Sequence, residues 1–433
     1  MEMLIGLGMF VSLLVVLTLG VPIAYSLLFV GIGTLLVVSG DISSLGIVAN
    51  TYWSSVTNVT LTSLPLFMLM GAIISASGMG ARLYNSLATI LHGIPGGLGV
   101  ATTIACTIMA TVSGSSVATA AALGGFAISE MRRHGYPDAE ACGAVAAGGT
   151  LGILVPPSIP LIVYSVISEQ SIGKLFMASI VPGLIMAMSF AVYQVAMSLR
   201  RGKPAVVGTE QKRTVTAMER LAAVKTIGPF VVLISIILGS LYLGLATPPE
   251  AAALGTVVSL LLSGIIYRDM TWDKFRTILL GTAQGSVMIL VVIAGAIVFG
   301  YVMTTTQVAT ALSSSVAHAH FSPWVVFIFI NLLLLFLGCF METIAIIVIT
   351  MPILIPIVTA FHWDLIWFGV IVVINMEMAL IHPPVGLNLF VVQNVARDVP
   401  YRRIVIGTLP YVGIMMAVLA LIAFFPALTT LLR

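Results

Sequence analysis

Charge is what this 433-residue sequence has least of: Asp, Glu, Lys and Arg make up 8% of it, about a third of the share in an ordinary soluble domain. Such a chain cannot cover a globule with polar surface, which excludes a soluble enzyme and a nucleic-acid binder. Cysteine is nearly absent too. Cys106, Cys142 and Cys339 are far apart in apolar surroundings, so they define neither a disulfide scaffold nor a metal site. No G-x-x-x-x-G-K-[S/T] occurs, and an ATP-driven pump would need its ATPase on another chain. No H-E-x-x-H occurs either, and the six histidines supply no ordered base for Ser115 or Ser116, which argues against an intramembrane protease. The N-terminus lacks a basic region, and its apolar run reaches Gly20 without a cleavage site; it reads as a retained span rather than a signal peptide.

What is present is hydrophobicity: 60% of the residues are apolar and the mean hydropathy is +1.17. The chain reads as an all-α polytopic membrane protein. Windows long enough to cross about 30 Å of hydrocarbon fall near Met3 to Leu19, Ala24 to Val38, Ser63 to Ser77, Ile180 to Leu199, Ile227 to Leu245, Ala251 to Tyr267, Gly285 to Met303 and Ile404 to Phe425. Four more, Gly96 to Met131, Ala139 to Ile167, Trp324 to Thr359 and Leu365 to Val395, are interrupted by Gly, Ser or Pro.

The hydrophilic stretch 200–225 divides the chain into halves, 1–199 and 226–433. Pro22, Pro156 and Pro157 recur 227 residues later as Pro249, Pro383 and Pro384, while Pro95 and Pro182 recur 228 residues later as Pro323 and Pro410. An internal duplication is inferred. With the N-terminus outside, and five crossings plus one re-entrant hairpin per half, the basic residues distribute unevenly. Arg82, Arg132, Arg133, Arg200, Arg201, Lys203, Lys212, Arg213, Arg220, Lys225, Arg268, Lys274, Arg276, Arg397, Arg402 and Arg403 fall inside, leaving Lys174 and Arg433 outside. The positive-inside rule favours that arrangement. An odd number of crossings makes the repeats inverted, a design of many secondary transporters, with both termini periplasmic.

The interruptions form two pairs. Ser113, Gly114, Ser115 and Ser116 break one hairpin, and Gly338 to Thr343 break the other. Gly148 to Ser158 and Asn375 to Asn388 each carry Pro-Pro inside a stretch that must otherwise span. Pro-Pro removes two amide donors and frees upstream carbonyls, which persist in hydrocarbon only where they line a cavity or bind something. Carbonyl, hydroxyl and amide oxygens suit a hard cation such as sodium, and opposed helix N-termini suit a carboxylate. No Lys or Arg lies in these segments, so an anionic substrate would be neutralised by dipoles and co-bound cations. Glu342 and Glu377 are intramembrane carboxylates, functional by default. Paired, closed tips fit alternating access better than a continuous channel.

These motifs resemble the large membrane subunit of tripartite ATP-independent periplasmic (TRAP) transporters over essentially the whole chain. The resemblance rests on Ser113-Gly-Ser-Ser116, on Gly149-Thr-Leu-Gly-Ile-Leu-Val-Pro-Pro-Ser158, on Gly338 to Thr343 followed by Thr350-Met-Pro352, and on Asn375 to Leu389. It implies an elevator-type transporter of the bacterial inner membrane. Organic acids such as C4-dicarboxylates or sialic acid would enter with sodium, delivered by a periplasmic solute-binding protein. A small four-helix membrane subunit is the expected partner, as a separate chain because this one begins directly with the large subunit. A stand-alone organic-anion permease of related architecture is the neighbouring alternative. Expected sodium-binding residues are Ser113, Gly114, Ser115, Ser116, Gly149, Thr150 and Pro156 in one half, and Gly338, Met341, Glu342, Thr343, Pro383, Val385 and Gly386 in the other. Expected substrate-binding residues are Ser115, Ser116, Pro157, Ser158, Thr343, Pro384 and Asn388. Glu342 stands where the family more often has Asp, which leaves a proton open as the coupling ion.

Overall fold

The computed structural model describes residues 1–202, 215–268, 270–318 and 321–431; Lys203, Lys212, Arg213 and Arg433 lie outside them. The described residues form nineteen α-helices and no strand. The first half contains α1 (Glu2–Thr18), α2 (Ile23–Ser39), α3 (Ser44–Val56), α4 (Ser63–Ala76), α5 (Met79–Ile90), α6 (Gly97–Ser113), α7 (Ser116–Arg133), α8 (Asp138–Leu151), α9 (Ile159–Ser168) and α10 (Ile172–Arg201). The second contains α11 (Ala217–Tyr242), α12 (Pro248–Leu261), α13 (Trp272–Thr305), α14 (Val308–His318), α15 (Pro323–Gly338), α16 (Thr343–Ala360), α17 (Leu365–Ala379), α18 (Leu387–Val395) and α19 (Tyr401–Phe424). Seven of the spans are long and apolar enough to cross a bilayer.

The 227-residue offset read from the prolines carries over to the elements. It lays Ser116 on Thr343 and Arg133 on Ala360, so that α7 and α16 coincide at both ends. It also lays α8 on α17 and α9 on α18 to within a residue. One pair differs. The continuous 34-residue α13 corresponds to α3 and α4 together, which are separated at Asn58, whose side chain accepts a hydrogen bond from the Thr60 amide at 2.9 Å.

Packing follows the same duplication. Helix α7 lies against α18 and α16 against α9; α8 lies against α19 and α17 against α10. Within the broken helices, α8 touches α18 and α9 touches α17. The first part of each therefore lies beside the second part of the other, and the two run antiparallel, as inverted repeats require. Helices α1–α5 and α11–α14 pack among themselves as one layer, and α6–α10 with α15–α19 as another. Helix α6 docks on α4 and α5, and α16 docks on α13 and α14.

Side-chain size explains why the broken helices sit innermost. Residues 141–151 of α8 are mainly Ala and Gly and are all buried. With no side chain at Gly143, the backbone of α8 approaches Gly407 of α19 directly; small residues are what let helices pack closely where lipid removes the hydrophobic drive. Helix α17 is buried from Ile366 to Ala379 on every face, the mark of a helix enclosed by others. By contrast α11, apolar but largely exposed, faces outward.

The charges gather at one end. Arg132 pairs with Asp138 and with Asp398, both at 2.9 Å, and Arg403 reaches Asp138 at 3.2 Å. Arg201 pairs with Glu140, its guanidinium 4.8 Å from the centre of the Tyr136 ring. Arg220 donates to the His92 carbonyl at 3.3 Å. Arg132 and Asp138 of the first half are thus brought together with Asp398 and Arg403 of the second.

Candidate functional site

Each hairpin tip is a helix end followed at once by a helix start. In the first, Gly114 takes φ +68°, a left-handed turn that only glycine enters readily, and a Cβ there would meet Ile159 at 2.5 Å. Ser115 is extended and its Oγ accepts from the Ala118 amide at 3.2 Å, capping α7. Ser113 Oγ lies 3.0 Å from Thr119 Oγ1. In the second tip, Glu342 occupies the equivalent extended position, but α16 has no side-chain cap.

The two breaks close differently. In the second, the Asn388 amide donates to the Leu380 carbonyl at 3.1 Å across the gap, with Gly386 at φ +57°. Tyr401 Oη donates to the carbonyls of Val385 at 2.6 Å and Pro384 at 3.2 Å. Cys339 Sγ, from the tip, lies 3.7 Å from the Pro383 carbonyl oxygen and 3.8 Å from His382 Nδ1. In the first, Thr111 Oγ1 donates to the Gly152 carbonyl at 3.2 Å, and Ser158 caps α9 through the Leu161 amide at 3.5 Å. Both Pro-Pro bonds are cis.

The structure sets tip against break in each half. A Cβ on Gly149 would lie 2.9 Å from the Ser116 carbonyl oxygen, and one on Gly338 would strike Ala379. Ser116, Thr150, Pro156, Pro157 and Ser158 are buried, and Ser113, Gly114 and Ser115 are half-buried. Thr343, Gly386 and Asn388 are buried, Met341, Pro383 and Val385 half-buried, and Glu342 and Pro384 exposed. The second break therefore opens to the surroundings where the first is sealed. Thr150 Oγ1 donates to the Ala147 carbonyl at 2.7 Å, and Asn388 Nδ2 to the Ala146 carbonyl at 3.3 Å, leaving its Oδ1 without a partner.

The halves also meet. Helix α7 packs on α18 and α16 on α9, so each tip's second helix lies against a helix of the other half's break. The tip and break segments supply hydroxyl, amide and carbonyl oxygens and hold no Lys or Arg. Positive dipole ends and neutral oxygen donors can hold an anion beside hard cations. Sequence reasoning did not find Tyr401 or Cys339 as partners of the break; their only signal is proximity in space.

A profile of the tripartite ATP-independent periplasmic transporter family, DctM component, matches residues 10–428. The chain belongs to the DctM family. It is 39% identical over 370 residues to the C4-dicarboxylate TRAP transporter large permease protein DctM of Pseudomonas aeruginosa, covering 86% of this chain and 85% of that one. It is 32% identical to the sialic acid TRAP transporter large permease protein SiaM of Vibrio cholerae over 95% of each. Among solved structures, the YdaH transporter of Alcanivorax borkumensis, described as having an unusual topology, superposes with a TM-score of 0.62 over 90% of this chain and 89% of that one. At 13% identity that likeness is one of fold. As a member of the DctM family, the protein is a polytopic transport protein and not an enzyme.

Proposed function

We propose that this chain is the large permease of a bacterial inner-membrane importer that couples sodium entry to uptake of an organic acid, a C4-dicarboxylate or sialic acid. A periplasmic binding protein delivers the substrate and a small membrane subunit completes the complex. The observation that carries this reading is the packing of each tip's second helix against the other half's Pro-Pro break, in segments that hold no basic side chain. One sodium ion sits between Ser113 to Ser116 and Gly149 to Pro156, and a second between Gly338 to Thr343 and Pro383 to Gly386. The substrate carboxylate meets Ser115, Ser116, Pro157, Ser158, Thr343, Pro384 and Asn388. The two repeats are 1–199 and 226–433, joined by a cytoplasmic connector at 200–225, with both termini in the periplasm. The layer of α6–α10 and α15–α19 moves against the other as an elevator.

Reconstitution of the permease with its partners in vesicles, followed by uptake of a panel of organic acids under imposed sodium or proton gradients, tests the reading. Sodium-driven, binding-protein-dependent uptake is expected. Uptake driven only by protons overturns the coupling ion, and uptake that ignores the binding protein assigns the chain to the stand-alone permeases.

A further inference from the structure

One buried group has no task in the two cation sites above. Glu377, near the end of α17, is 0% exposed. Its Oε1 accepts from Thr343 Oγ1 at 3.4 Å, and its Oε2 has no hydrogen-bond partner. Ser116 interacts with the same carboxyl. Thr343 is the first residue of α16 and Ser116 the first of α7, so the carboxyl sits where the two hairpins, one from each repeat, begin their second helices.

Charge accounting makes this placement informative. Among the described residues the charged side chain acting on Glu377 is Glu342, of the same sign. A buried carboxyl with a bare oxygen and no counter-charge takes either a proton or a cation. The hydroxyls of Thr343 and Ser116 add neutral oxygen donors beside it, the ligand type of a hard cation. A single carboxylate matches monovalent ions; divalent ions collect several. The equivalent position in the first repeat, 227 residues earlier, is Thr150, whose hydroxyl is already used on the Ala147 carbonyl. The duplicated architecture therefore holds this charge once.

Resting on the sodium-coupled reading above, we infer that Glu377 is the anionic group shared by both cation sites, hydrogen-bonded to Thr343 of one and lying near Ser116 of the other, and that it makes their occupation cooperative. Each site's remaining donors in the first repeat are neutral, and Glu342 in the second is exposed. A carboxylate reached from both sides screens the repulsion between two bound ions. It also orders both tips when either ion arrives, so each ion raises the affinity for the other.

The test is sodium activation of uptake by the reconstituted complex, with sodium binding to the purified complex measured in parallel. The wild type should respond sigmoidally, with a slope of about two, the number of sites. Glu377→Gln should lower the slope to about one and raise half-saturating sodium about tenfold, as expected when ligand charge is removed. Glu377→Asp, which keeps the charge, should keep a slope above one. An unchanged slope and half-saturation in the Gln variant overturns the inference. A second measurement leaves Glu377 in place: Ser116→Ala and Thr343→Ala, singly and together. Their effects on half-saturating sodium should depart from additivity by about threefold, the behaviour of coupled rather than independent sites; additive effects overturn the inference. A wild type indifferent to sodium overturns the coupling reading instead.

Discussion

At the scale of single residues, the tips separate two duties that a mutation would otherwise confuse. Ser115 caps α7 through the Ala118 amide, so Ser115→Ala should weaken sodium activation and also lower stability by about 0.5 to 2 kcal/mol, the usual value of an N-cap. Thr343 caps nothing but donates to the buried Glu377 carboxyl; Thr343→Ala should weaken sodium activation and lower stability by about 1 to 3 kcal/mol, the cost of a buried acceptor left unpaired. Uptake against sodium concentration, read beside thermal unfolding in detergent, checks both. At Gly152 the constraint is purely steric. A Cβ there would lie 2.5 Å from the Thr107 carbonyl oxygen and the Thr111 amide nitrogen of α6, and backbone atoms cannot swing aside. Gly152→Ala should destabilise by about 1 to 3 kcal/mol, the range for an overpacked interior, seen as a lowered thermal midpoint at any sodium concentration.

At the scale of elements, the sequence is legible wherever composition alone decides. The four interrupted stretches announce themselves through Pro-Pro or a run of small polar residues, and the structure resolves them into α6/α7, α8/α9, α15/α16 and α17/α18. Helices α3, α5 and α14 are not legible. Asn50, Thr51, Ser54 and Ser55 dilute α3, and α5 and α14 have 12 and 11 residues, too few to fill a spanning window. Their helicity depends on neighbours that the linear sequence does not reveal. The same limit hides the meeting of Asn388 with the Ala146 carbonyl. Their contact joins different halves of the chain and leaves no local spacing to read. The charged end of the molecule gives an element-level prediction. Asp138, at the start of α8, holds Arg132 and Arg403 across the two repeats, but these groups are partly to largely exposed. Asp138→Asn should cost no more than about 1 kcal/mol, as exposed pairs do, and the loss should shrink as salt is added. Thermal midpoints at low and high ionic strength check it.

At the scale of the whole molecule, the end that collects Arg132, Arg201 and Arg403 should face the cytoplasm. Cysteines placed at Thr305 or Ala360, both exposed, should react with an impermeant thiol reagent from the periplasm, and one at Ala217 only after the membrane is opened. Labelling of intact cells decides, and periplasmic reactivity at Ala217 would reverse the orientation. The absence of Lys and Arg from the tip and break segments has a thermodynamic counterpart. On the proposed sodium coupling, the ion supplies much of the substrate's counter-charge, so saturating substrate should tighten sodium binding by the same factor by which sodium tightens substrate binding. Equal sodium affinities with and without substrate would transfer that role to a basic side chain. The 227-residue offset also carries a history. The recurrence of one element order at that offset points to a unit of half this length, copied once. Copying freed each half to diverge, and a carboxylate at position 377 opposite a hydroxyl at 150 is a difference that two identical halves could not have held.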